Sequence, residues 1–235
     1  MKNKKMAVTI SIDGLVGAGK STVMSLMEEK RKEEKMNFIY EPVEDFCCYK
    51  NKCQTKTFNP LQEAYKHPQT VAPITQVHFV DCIARHFEKN FEVGGVNITE
   101  RFCFSPIVFV NTNVDLQNFN CFVQEFLWDY TFSKISSHFA PHLVLFLDVP
   151  IHQTLKRIQN RQREGEECIT QEFQSALRKN YLDFFEKSQL NMVNIPVSPD
   201  ETVFETEDKV WQEVVKFLKM EKIIQSEVKL TSCSC

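Results

Sequence analysis

Gly14-Leu15-Val16-Gly17-Ala18-Gly19-Lys20-Ser21 fills every specified position of the pattern G-x-x-x-x-G-K-[ST], and no other stretch constrains the fold of this chain as tightly. Such a loop works only between a strand and a helix, because its backbone N–H groups must converge on an anion beside a helix N-terminus. The apolar run Ala7 to Ile12 before it and the helically spaced Val23-Met24-Ser25-Leu26-Met27 after it supply that context. The stretch therefore predicts a phosphate-binding loop and, as its ligand, a nucleoside triphosphate. Gly14, Gly17, Ala18, Gly19, Lys20, Ser21 and Thr22 are the expected triphosphate contacts. Lys20 is expected to bridge the outer phosphates, and the Ser21 hydroxyl to ligate Mg²⁺.

The rest of the chain alternates short β-rich runs with longer helical segments, the signature of an α/β fold with a parallel sheet flanked by helices. Candidate strands are residues 7–12, 37–41, 96–100, 143–148 and 192–196, five in all; residues 60–90, 107–138, 151–187 and 206–220 read as helical. Phe173, Leu177, Tyr181 and Phe185 recur at one-turn spacing and mark a buried helix face. No Pro-, Gly- or Ser-rich linker divides the chain, so residues 1–220 are read as one domain, with 221–235 as a C-terminal tail.

Charge and cysteine content narrow the function. With 28 basic against 31 acidic residues the net charge is −3, which leaves no overall footprint for nucleic acid or an anionic membrane. The nine cysteines form no C-x-x-C pair and have no His at zinc spacing, so reduced thiols and a cytoplasmic setting are expected. No run is long enough to span a membrane. The end, Cys233-Ser234-Cys235, is not a C-a-a-X box, which needs Cys where Ser232 stands.

Ligands of open parallel sheets sit beyond the carboxyl ends of the strands. After the second strand comes Glu41-Pro42-Val43, a carboxylate placed to deprotonate an attacking hydroxyl. After the third comes Glu100-Arg101, an acid able to help hold hydrated Mg²⁺ and a guanidinium able to fork around a phosphoryl group. After the fourth, a helix runs out through Arg157, Arg161 and Arg163 to Gly165 and Glu166. Alone, that run reads as a solvated charged face. Beside a phosphate loop it reads as an arginine lid, about residues 157–168, hinged at Gly165.

Phosphate loop, Glu-Pro-Val, Glu-Arg and an Arg-x-x-x-Arg-x-Arg lid, in that order, resemble the deoxyribonucleoside kinases, the group of deoxycytidine kinase and the mitochondrial and herpesvirus thymidine kinases. The resemblance covers roughly residues 6–220. It implies a P-loop kinase fold and phosphorylation of a deoxynucleoside 5′-hydroxyl, with ATP and Mg²⁺ as cofactors and a homodimer as the assembly. Glu41 is implied as general base and Arg101 as the arginine at the acceptor hydroxyl, with Lys20 completing the catalytic set. Glu100 is implied on the magnesium side, Tyr65 and Glu166 on the sugar 3′-hydroxyl, and Gln76 on the base edge. Arg157, Arg161 and Arg163 are implied around the transferred group, and Pro196 to Asp208 around adenine.

This chain also departs from the family pattern. Phe46 stands where Trp is usual, Thr75 where an aromatic precedes the Gln, and Phe102 where Ser is common; a further aromatic falls on Val110, or on Phe109 if the register shifts by one. Ile83 and Pro106 replace an Arg and an Asp of the deoxycytidine-type members. An apolar wall there predicts pyrimidines, thymidine among them, over purines, with Phe79 crowding the space beside Gln76. Thymidylate kinase is the nearest alternative. Its phosphorylated acceptor needs an Arg before the Glu-Pro pair, where this chain has Tyr40. A regulatory GTPase needs Asn-Lys-x-Asp, which is absent.

Overall fold

The computed structural model describes residues 7–47, 49–50 and 57–221; most of the expected tail, including Cys233 and Cys235, lies outside them. The element order is β1 Val8–Gly14, α1 Lys20–Lys30, β2 Met36–Ile39, α2 Val43–Cys47, β3 Tyr49–Lys50, β4 Thr57–Phe58, α3 Pro60–Lys66, α4 Ala72–Asn90, β5 Val96–Glu100, α5 Ser105–Asp115, α6 Cys121–Lys134, β6 Leu143–Asp148, α7 Ile151–Arg161, α8 Gln171–Ser188, β7 Met192–Pro196 and α9 Val203–Met220. Five strands form one sheet in the order β2-β5-β1-β6-β7, and every pairing within it is parallel. The five expected strands all form, and the long helical segments divide where tight turns intervene. The antiparallel pair β3–β4 and the short α2 carry too little periodicity to be anticipated.

Strand alternation decides how the layers pack. Val8, Ile10 and Ile12 of β1 and Leu143, Leu145 and Leu147 of β6 face one side, where Val23, Met24 and Met27 of α1 and Val210, Val214 and Phe217 of α9 cover them. Val144 and Phe146 of β6 face the other side, against Val108 of α5 and Phe173, Leu177, Tyr181 and Phe185 of α8. On that second face β1 presents Thr9, Ser11 and Asp13, all buried. A buried polar group in a central strand is costly unless partnered, and the partners of Ser11 and Asp13 lie at the functional end of the sheet: Ser11 donates to Asp13, and Asp13 accepts from the Phe102 N–H. On the first face, Glu207 of α9, fully buried, ties α9 to its neighbour α1 by ion pairs with Lys30 and with Arg31 at the end of α1.

None of the helices among the described residues is long and apolar enough to cross a membrane. Cys82, Cys103, Cys121 and Cys168 are unbridged thiols.

Candidate active site

The carboxyl ends of β1, β2 and β5 converge on a cavity of about 310 Å³, roofed by α3, α4, α5 and the segment after α7. Its floor is the phosphate loop. Gly17, Gly19, Lys20, Ser21 and Thr22 line it, whereas Gly14 and Ala18 lie beneath and act through their carbonyls. Gly17 has a φ of +79°, and a Cβ there would stand 2.6 Å from the Thr154 carbonyl oxygen, so only glycine lets the loop lie this close to α7. Lys20 is buried and folds back to donate to the Leu15 carbonyl at 3.2 Å. Burial lowers its pKa to about 8 with help from the Arg101 charge, against the opposing pull of Glu100, Glu41 and Asp13.

That shift has a testable consequence. Lys20 is charged below about pH 8 and neutral above it in the ligand-free protein. If it captures the triphosphate, kcat/KM for ATP should fall as pH rises through about 8, since that ratio reports the free enzyme. kcat at saturating ATP should decline only at higher pH, because bound phosphates favour the ammonium form. A flat kcat/KM profile between pH 7 and 9.5 would remove Lys20 from phosphate binding.

Next to the loop, the tips of β2 and β5 bring Glu41, Glu100 and Arg101 together. Arg101 Nε donates to Glu41 Oε1 at 3.1 Å, and its Nη1 donates to the Gly14 carbonyl at 3.0 Å and to the Tyr181 hydroxyl. Its guanidinium also lies 5.1 Å from the Phe109 ring centroid. Burial works against the Arg101 charge, but Tyr181, Glu41, Asp13 and Glu100 more than offset it and raise the pKa, so the guanidinium is permanently charged. Ser21 Oγ donates to Glu100 Oε1 at 2.7 Å. A hydroxyl and a carboxylate side by side are hard oxygen donors, a set that suits a small dication that keeps its own water and phosphate ligands.

The far end of the cavity is aromatic and apolar. Phe46 and Phe79 pack with ring centroids 4.6 Å apart, and Ile83 and Pro106 line the wall beside them. Gln76 also lines the cavity; it is 8% exposed, and its amide makes no hydrogen bond to the described residues. Phe109, not Val110, is the cavity aromatic of α5. Helical spacing from Ser105 places residues 105, 109, 113 and 116 on the cavity face, while Val110 packs against Ala72 and Leu127. Thr75 turns away and donates to the Val71 carbonyl at 3.1 Å.

The lid arginines divide into two groups. Arg161 and Arg163 line the cavity and both donate to Glu166, Arg161 Nε at 3.1 Å and Arg163 Nη1 at 3.0 Å. The Glu166 carboxylate is 4% exposed, and a carboxylate that dry draws the nearest guanidiniums as counter-charges. Arg157 does not line the cavity; it donates to the Ala18 carbonyl at 2.9 Å, against the backbone of the phosphate loop. Gly165 has a φ of +93°, and a Cβ there would meet Gln62 Cα of α3 at 2.7 Å, so this glycine permits close packing of the lid on α3. Tyr65 stands beside Glu166; burial and then the Glu166 charge raise its pKa, which keeps the phenol a hydrogen-bond donor. The turn after β7, expected around adenine, leads into α9 through a Thr202–Glu205 capping box and does not line this cavity.

Two residues here escaped the sequence reading. Tyr181 is legible only as one more aromatic on a buried helix face, yet its hydroxyl holds Arg101. Asp13 precedes the loop and looks like its first turn residue, yet it is buried beneath Arg101.

Comparison with known proteins identifies the family and the fold. The family model described as deoxynucleoside kinase matches residues 10–224. A probable thymidylate kinase of Methanococcus maripaludis is 26% identical over 172 residues, spanning 73% of this chain and 74% of its own. Among solved structures, the deoxyadenosine kinase of M. mycoides with dCMP and a flexible dCDP bound superposes with a TM-score of 0.70 at 22% identity, over 89% of this chain and 100% of that one. The same kinase with bound dATP gives a TM-score of 0.69 at 22% identity, over 88% and 99% of the two chains.

Proposed function

This chain belongs to the deoxynucleoside kinase family, and from that premise we propose that it transfers the γ-phosphoryl group of ATP to the 5′-hydroxyl of a pyrimidine deoxynucleoside, thymidine included. One observation carries the reading. Glu41 and Arg101 meet at 3.1 Å in the same cavity as Lys20 and the phosphate loop, so a base, a guanidinium and a phosphate cradle share one space.

Each group has a task in that space. Glu41 accepts the proton of the acceptor hydroxyl as its oxygen attacks. Arg101, anchored on Gly14 and Tyr181, holds fixed positive charge where the phosphoryl group passes. Lys20 and the loop N–H groups hold the outer phosphates of ATP. Ser21 and Glu100 are the residues that would hold Mg²⁺, which when bound offsets phosphate charge. Glu166 and Tyr65 take the sugar 3′-hydroxyl, while Arg161 and Arg163, which rest on Glu166, supply further charge to the transferred group.

The base preference rests on Gln76 and its surroundings. A free amide can meet either pyrimidine edge by turning over, whereas the apolar Ile83 and Pro106 offer no partner to an exocyclic amino group beside it. The Phe46–Phe79 pair narrows the same end of the cavity and disfavours the larger purine ring. Discrimination in an apolar pocket amounts to about 1–3 kcal/mol, so a graded preference is expected. The test is a panel of nucleosides, deoxynucleosides and deoxynucleoside monophosphates with ATP·Mg²⁺, compared by kcat/KM. Thymidine and deoxycytidine should lead. Deoxyadenosine or deoxyguanosine above thymidine would overturn the base preference, and thymidine monophosphate as the best acceptor would overturn the acceptor itself. Against that last outcome stands Glu41: a carboxylate 19% exposed at the acceptor position repels a substrate that already carries a phosphate.

A further inference from the structure

Among the described non-glycine residues that line the cavity, Arg101 alone has its backbone in the left-handed region, with a φ of +64°. Such a conformation persists in a side-chain-bearing residue only where the surroundings hold it. The Arg101 N–H still completes the parallel ladder by donating to the Ile12 carbonyl at 3.0 Å. The chain then turns off the sheet, and the next donor, the Phe102 N–H, is taken by Asp13 Oδ2 at 3.0 Å. The neighbouring carbonyl, that of Gly14, is claimed by the Arg101 guanidinium itself at 3.0 Å. Ile12, Asp13 and Gly14 thus hold, in turn, the Arg101 N–H, the Phe102 N–H after it and the Arg101 guanidinium.

Asp13 is an expensive way to provide one hydrogen bond. Its side chain is fully buried, Oδ2 also accepts from the Ser11 hydroxyl, and Oδ1 has no hydrogen-bond partner among the described residues. The charged and titratable groups facing it are Lys20 from α1, Arg101 from the end of β5, Cys103 from the turn before α5 and Tyr181 from α8. Burial pushes its carboxyl up to about 6, against the Ser11 hydrogen bond and the Arg101 and Lys20 charges.

We propose that Asp13 is a positioning residue for phosphoryl transfer: its carboxylate pins the left-handed Arg101–Phe102 turn and so sets the guanidinium between Glu41 and the first glycine of the phosphate loop. Phosphoryl transfer depends on placing charge more than on binding, so loss of the pin acts on kcat and leaves substrate affinity nearly alone. The inference rests on the reading of Arg101 given above.

A double-mutant cycle tests it, with kcat and KM measured for ATP and for the best nucleoside of the panel. Asp13→Ala, which removes the acceptor of the Phe102 N–H, should lower kcat by about tenfold or more and change either KM by less than about threefold. In the Arg101→Lys background, which keeps charge but cannot fork, the same substitution should cost less than about twofold, because its route of action is already lost. Equal losses in both backgrounds, or a loss that appears in KM rather than kcat, would overturn the role of Asp13 alone. Near-normal kcat for Arg101→Lys by itself would overturn the reading of Arg101 and this inference with it. Should Asp13→Ala not be recovered folded, Asp13→Glu, which keeps the charge and displaces the carboxylate, runs the same cycle with the same expected non-additivity.

Discussion

Arg101→Ala is expected to lower kcat by about 10³-fold or more, the scale on which an arginine directed at a transferring phosphoryl group acts. The structure makes this arginine unusually hard to replace. It is 5% exposed, it is held by Gly14, Glu41 and Tyr181, and it carries its charge at every accessible pH. Alanine would leave Asp13, Glu41 and Glu100 around Lys20 as the sole remaining cation of that group, so negative charge would accumulate where a phosphate must pass. The loss should appear in kcat under saturating ATP and nucleoside, and single-turnover measurement would separate it from slow product release. A thermal melt of the same sample must show a folded protein, because three carboxylates have then lost a shared partner. A variant retaining more than about a tenth of kcat would remove Arg101 from the transition state.

Glu41→Gln should lower kcat by about 10²-fold, with nucleoside KM little changed. The substitution is informative because glutamine keeps the contact that matters structurally. Its carbonyl oxygen can still accept from Arg101 Nε, now 3.1 Å from the carboxylate, so the guanidinium need not move. Only basicity is lost. Arg101→Ala deletes a charge that stabilises the moving group, whereas Glu41→Gln deletes only the proton acceptor. Near-normal kcat in Glu41→Gln would show that the proton leaves by another route and would end the base assignment.

At this site, chemistry follows most directly from position along a strand. The phosphate loop, the five strands and the acid–arginine pairs at their tips were legible because each is a local pattern: apolar runs of strand length ending abruptly in polar residues. Glu41, Glu100 and Arg101 could be nominated on that ground, since in a parallel sheet all strand tips reach the same edge. Which of them touch could not be read, because β2 and β5 become neighbours only through the strand order β2-β5-β1-β6-β7.

The choice of Phe109 over Val110 shows the limit at single-residue scale. A count from Arg101 is blind to where α5 starts, and the helix phase set at Ser105 turns one side chain into the cavity and its neighbour into the packing against α6. Tyr181 and Asp13 show it across layers. The spacing of Phe173, Leu177, Tyr181 and Phe185 specified a buried face, yet hydrophobic periodicity cannot say that one hydroxyl on that face meets a guanidinium from across the sheet. Likewise, Asp13 falls one residue past the expected strand 7–12, and only the fold extended β1 through it and set the left-handed turn at Arg101 where the next N–H meets its carboxylate. Sequence by itself determined the sheet, the phosphate loop and the kinds of group at its edge, because those depend on near neighbours in the chain. Tertiary structure alone decided the partners of each charge, because a partner is fixed by the packing of layers between residues as distant in sequence as Asp13, Glu41, Arg101 and Tyr181.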